Sequence, residues 1–343
     1  MRLADRIAQY NRPFIVRRDC EARLIHLNNA ADFADTLAHC PLRYVFSDDL
    51  TSLCADLAYS RGARAIACAD LLRVPSQTLW IEWCAAPWQQ ALRTHGLPPA
   101  QNGFECAGRR GALIHATRDG RRGLLRTFWT EATDGDVLAS SMEAYFDFDT
   151  PAGEVPEAPD GRDGQGGQVR DEARMEEDVL GRCFRFRYEQ SWADYYQCAC
   201  KTTDQREAVW HDCLGTIAMD VPMLLAFLLL LGTRTGLPQH RPALDRVNRQ
   251  RVRAGKPPLL DHIEVRSPLL PELRDTTPTE WHGLRRHPRL HHVRGHLVRR
   301  GNQIFWRVPH LRGQARFGSV QTRTVVWTYD GAARGGRGSG ADP

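Results

Sequence analysis

The stretch GALIHATRDGRRGLLRTFWT, Gly111 to Thr130, carries strand chemistry twice. GALIHATR (Gly111–Arg118) and GLLRTFWT (Gly123–Thr130) are rich in branched and aromatic residues, and DGRRG between them is turn-like, so the pair predicts a β-hairpin. LWIEW (Leu79–Trp83) upstream and MEAYFDF (Met142–Phe148) downstream have the same texture. Ahead of all four, NAADFADTLAHC (Asn29–Cys40) and DLTSLCADLAYS (Asp49–Ser60) repeat apolar residues near a helical period behind polar caps. Residues 1–150 are therefore expected to form an α+β domain.

Beyond Thr150 the texture changes. PAGEVPEAPDGRDGQGGQVRDEARMEED (Pro151–Asp178) is rich in Gly, Pro and acid and poor in apolar residues. Such a segment buries too little surface to offset its ordering entropy, so 151–174 is expected to be a flexible acidic linker. From Met175 to Thr233 two or three helices are expected, the first carrying FRFRYEQSWADYYQ and the last the apolar run VPMLLAFLLLLG. That run, Val221–Gly232, is about half the length that spans a bilayer, so a buried helix is expected. Residues 175–330 are read as a second domain of helices leading to a small basic antiparallel sheet or barrel, and the glycine-rich end, 331–343, as disordered.

The opening MRLADRIAQYNRPF has no apolar core of the secretory kind, so a cytoplasmic protein without membrane contact is expected. Its ten cysteines are then expected to be reduced and packed as small hydrophobes. Cys198, Cys200, His211 and Cys213 come closest to a metal group, but their paired spacings are tighter than structural zinc prefers. Glu82, Glu105, Asp147 and Asp149 are too scattered to suggest a carboxylate metal site. There is no GxxxxGK[ST], HExxH or GxGxxG after a strand, and no cofactor or metal is implied.

Charge distribution is more informative than the net charge of +5. In RPALDRVNRQRVRAGKPPL (Arg241–Leu259), Leu244 and Val247 are expected to form an apolar stripe, with Arg246, Arg249, Arg251 and Arg253 around the rest. Gly255 fits the position after the C-cap, and Pro257 and Pro258 stop the helix. With Lys256, these arginines suit a helix that tracks phosphates; a solvated charged helix is the plainer reading. From Trp281 to Tyr329 there is no Asp or Glu, against ten arginines and six histidines. HHVRGHLVRR, IFWRVPHLRG and VQTRTVVWTY read as three strands, with GN as the first turn and RGQARFG as the second connection. Arg294, Arg299, Arg300 and Arg307 are the expected nucleic-acid contacts here.

Histidine beside arginine also invites a catalytic reading. Metal-free phosphodiester cleavage needs a base, an acid and a cation on the developing charge, and His296, His310, Arg294 and Arg312 supply that inventory. Register decides whether they can meet. With a two-residue connection at Gly301 and Asn302, Arg294 opposes Pro309 and the two histidines point to opposite faces. With three residues, Arg294 opposes His310, and both histidines share a face.

LWIEW, LDRVNRQRVRAGKPPLL and RLHHVRGHLVRR…FWRVPHLRG…GSV together resemble a recurrent family of phage and prophage proteins without a settled activity. The resemblance covers most of the chain outside 151–174 and the glycine-rich end. It implies a mobile-element origin and a host cytoplasm, and carries over no catalytic residue. The expected function is nucleic-acid binding, to DNA or RNA, through the basic C-terminal sheet. The alternatives are the metal-independent nuclease and a factor that binds a phage or host protein, such as a host-defence inhibitor or virion-associated protein.

Overall fold

The architecture comes from a computed structural model that describes residues 2–9, 21–59, 70–97, 108–130, 137–150, 183–233, 236–268, 289–293, 295–301, 303–307, 310–312 and 314–320. In chain order the elements are α1 (Leu3–Ala8), α2 (Glu21–Asp32), α3 (Ala34–His39), β1 (Leu42–Phe46), α4 (Asp48–Tyr59), β2 (Thr78–Cys84) and α5 (Ala85–Thr94). Next come β3 (Arg109–Ala116), β4 (Arg122–Thr130), β5 (Val137–Ala139), β6 (Met142–Asp147) and β7 (Phe184–Tyr188). They are followed by α6 (Gln190–Ala199), α7 (Thr203–Ala218), α8 (Val221–Leu231), β8 (Gln239–His240), α9 (Asp245–Arg253) and β9 (Ile263–Val265). The last are β10 (Arg289–Val293), β11 (His296–Arg300), β12 (Gln303–Arg307), β13 (His310–Arg312) and β14 (Gln314–Val320).

The chain is an α+β protein built on a nine-stranded mixed sheet, in the order β7-β6-β4-β3-β2-β1-β9-β8 with β5 beside β4. The expected hairpin is β3 and β4, antiparallel from Arg110↔Trp129 to Ala116↔Gly123. β1 runs parallel to both β2 and β9. Helices cover both faces, as a sheet with two apolar faces requires. On one, Leu3 and Ile7 of α1, Ala30 of α2 and Leu37 of α3 pack on Trp80, Leu113 and Phe128. On the other, Phe227 of α8 meets Phe46 and Tyr44 at 4.5 and 5.5 Å between ring centres. Val221 to Leu230 of α8 are all buried, so the apolar run is a core helix.

A buried ion pair anchors α8. Arg110 forks onto Asp220 at 3.1 and 2.6 Å and lies over the rings of Trp88 and Trp129. Burial pushes the Asp220 carboxyl up from its ordinary value, and Arg110 opposes that shift.

Two expectations change. FRFRY is a strand, not the start of a helix: its residues alternate, and β7 pairs with β6 from Met142↔Tyr188 to Phe146↔Phe184. Arg187 on this edge strand reaches Glu143 at 3.1 Å. The expected domain boundary after residue 150 consequently falls inside one sheet, because β7, β8 and β9 join strands from the first 150 residues. The chain divides instead into Met1–Leu269 with Leu297–Trp306, and Leu270–His296 with Arg307–Pro343. The proposed linker and the glycine-rich end lie outside the described residues.

Candidate nucleic-acid interface

The arginine-rich run Asp245–Arg253 folds as the helix α9, and no residue of it is buried. Gly255 follows at φ +67, a conformation glycine adopts without the Cβ penalty, and Lys256 N–H donates to the Arg251 carbonyl at 2.8 Å. The apolar stripe expected at Leu244 and Val247 does not form: Val247 is exposed, and the helix is held through polar groups. The Asn248 amide donates to the Leu259 carbonyl at 3.0 Å and accepts from the Leu259 N–H at 2.7 Å. Arg251 Nε donates to the Pro257 carbonyl at 2.9 Å. Arg246, Arg249, Arg253 and Lys256 are exposed.

The segment that receives α9 is itself fixed. Leu260 N–H donates to Asp5 Oδ1 at 2.8 Å, Arg2 donates to the Leu260 carbonyl at 3.2 Å, and Arg43 donates to the Asp261 carbonyl at 3.1 Å. Asp5 and Arg2 belong to the start of α1, and buried Glu82 of β2 holds that start in turn. Its carboxylate accepts from Leu3 N–H at 2.9 Å, Ala4 N–H at 3.0 Å and Trp80 Nε1 at 3.2 Å, and it pairs with Arg109. The acid in LWIEW is thus a clamp on a helix N-terminus, where exposed N–H groups favour a carboxylate. Through α1 it is physically connected to the GKPPLL segment behind α9.

The basic C-terminal region has a different layout from the three expected strands. Among the described residues it holds five: HHVRGHLVRR is divided between β10 and β11, IFWRVPHLRG between β12 and β13, and RGQARFG holds part of β14 rather than a loop, while of VQTRTVVWTY only Val320 is described. β11 and β12 pair as a two-stranded sheet; β10 pairs with β13 antiparallel and with β14 parallel. Gly301 turns between β11 and β12 at φ +59. Val293 partners His310, and His291 partners Arg312. That is the register of a two-residue connection, one position away from the pairing of Arg294 with His310 that the catalytic arrangement needs. His296 opens β11 and His310 opens β13, so they stand on strands of different sheets. Arg294 and the side chains of His310 and Arg312 lie outside the described residues. The three-residue register behind the nuclease reading is not formed.

Among the expected contacts in this region, His296, Arg300 and Arg307 are exposed, and Ile304 and Trp306 are buried. Arg299 is engaged: it forks onto Asp70 at 3.1 and 2.7 Å and donates to the Gly301 carbonyl. An acid-free stretch of sequence therefore has an acid in space. Tyr195 and Tyr196 pack with Trp192 at ring distances of 5.3 to 5.6 Å. Tyr196 also meets the Cys213 thiol at 3.4 Å, and burial pushes that thiol up from its ordinary value. Among the described residues no group of three His, Cys, Asp or Glu is arranged to hold a metal ion.

Asn248, Arg251, Asp70 and Glu82 are positioning residues that pattern reading overlooks. Only Asn248 carries a local hint, as an uncharged amide inside a run of arginines. No family model, curated protein or solved structure matches the chain.

Proposed function

We propose that the protein binds nucleic acid, with α9 as the principal contact and exposed Arg300 contributing from β11. The observation that supports this most is the outward ridge of α9. Arg246, Arg249 and Arg253 recur at i, i+3 and i+7, all exposed, while Asn248 and Arg251 hold the other side. The ridge is about 10 Å long at 1.5 Å per residue. Measured along the duplex axis, that length corresponds to about three phosphates of one strand, at about 3.4 Å of axial rise each. A phage-type role in a host cytoplasm accords with the sequence resemblance and belongs to the same proposal.

The test is anisotropy titration of the full chain with labelled duplex and single-stranded DNA and RNA over a salt series. Affinity should fall steeply with salt, because each phosphate contact releases counterions. Replacing Arg246, Arg249 and Arg253 by Gln should flatten the log–log slope on duplex DNA by about 2.7, at about 0.9 per contact. A wild-type chain without measurable affinity at low salt overturns the proposal and favours a protein partner.

A further inference from the structure

The composition of α9 goes further than phosphate tracking. Taking about 100° per residue, Asn248 and Arg251 sit on one side, and Arg249, Arg253, Arg246 and Gln250 fill an arc of about 100° on the opposite side. Val247 and Val252 lie on the two flanks. They are 42% and 60% exposed, and they are the exposed large hydrophobics among the described residues. Single exposed apolar side chains are ordinary on a protein surface, so these two count only together with the polar arc between them.

We propose that α9 is a recognition helix that enters the major groove of duplex B-form DNA and reads base edges there; this rests on the nucleic-acid reading above. Size agrees: an α-helix with its side chains is about 10–12 Å across, and the groove is about 12 Å wide. So does the inventory. Glutamine forks onto adenine N6 and N7, and an apolar side chain meets the thymine methyl. Gln250 is then the polar reader and Val247 and Val252 the apolar ones, while Arg246, Arg249, Arg253 and, beyond the helix, Lys256 hold phosphates at the edges of the groove.

Competing nucleic acids fit less well. The groove corresponding to this one in A-form RNA is too deep and narrow for side chains to read. Single strands are gripped by stacking on aromatic rings, and DRVNRQRVR contains none. The polar clamp through Asn248 and Arg251 also presents the helix in one orientation before any partner arrives, which lowers the ordering penalty of binding.

The experiment is selection of binding sites from a randomised DNA duplex library with the full chain. Affinities are then measured for the selected duplex, a scrambled duplex, the same sequence as duplex RNA, and the single strand. The selected duplex should bind about 1,000-fold or more tighter than the scrambled one, and the RNA duplex and single strand more weakly than the selected DNA. Gln250→Ala should cut the selected-to-scrambled ratio about ten-fold. Arg118→Gln, an exposed arginine in the β3–β4 turn, should leave that ratio unchanged. Equal affinity for selected, scrambled and RNA duplexes, or preference for the single strand, overturns the recognition helix and leaves nucleic-acid binding standing. No affinity for any of them overturns both.

Discussion

Asn248 and Leu259 exchange two hydrogen bonds, the side-chain amide standing where a neighbouring strand would be. Eleven positions apart in the chain, they close the turn behind α9 and fix its outward arginines. Asn248→Ala should release that turn. The two lost bonds are worth about 1–3 kcal/mol together, at about 0.5–1.5 each. Hydrogen exchange at the Leu259 amide should accelerate and nucleic-acid affinity should fall, although no charge has been removed. Unchanged protection at Leu259 would show that other contacts hold the segment.

Arg299 and Asp70 place a second condition on binding. Both are partly exposed, so their pair contributes only about 0–1 kcal/mol to stability. Asp70→Asn should therefore leave the melting temperature nearly unchanged. It frees Arg299 from its carboxylate, and the salt dependence of binding should steepen by up to about 0.9 in slope on duplex DNA. An unaltered slope would place Arg299 away from the nucleic acid.

Arg110 and Asp220 allow a sharper stability test. Arg110→Met leaves a fully buried carboxylate without its charge partner, a loss of about 3–5 kcal/mol by urea denaturation. Arg110→Met with Asp220→Leu should recover most of it. The deficit of the single variant should shrink in acid. Burial already raises Asp220 above its ordinary 3.8, and without Arg110 it rises further. A carboxyl with a raised native pKa favours folding below 3.8 and loses that contribution as pH climbs through the native value. A deficit independent of pH would mean that the carboxylate stays charged.

His115 and His262 shape stability closer to neutrality. Burial lowers both from their ordinary value of 6.5, with Arg126 reinforcing the effect on His115 and Arg2 on His262. Their contribution is present above 6.5. As pH falls below that, the unfolded chain takes up protons that the native state resists, and stability drops. The variant carrying His115→Gln and His262→Gln should show a shallower change in urea midpoint between about pH 7 and 5. Identical slopes in wild type and variant would assign the pH dependence to other groups.

The segments legible in the sequence are those whose signals are local. Gly111–Thr130 reads as a hairpin because alternation and turn chemistry act over a few residues. The apolar run reads as a buried helix, and Gly255 as the residue past the end of α9, for the same reason. The outward arginines of α9 were visible too, as charge without local acid. What only tertiary structure decided depends on partners far along the chain. LRYVF becomes β1 and IEV becomes β9 because the two pair in parallel, a pairing that no local pattern encodes. FRFRY is an edge strand because β6 offers it a partner. Arg299 is engaged because folding brings Asp70 to it from 229 positions away. Val293 rather than Arg294 faces His310, and one residue of register moves every side chain of a strand to the other face. Composition specifies which groups are available; closure of the chain determines which of them meet.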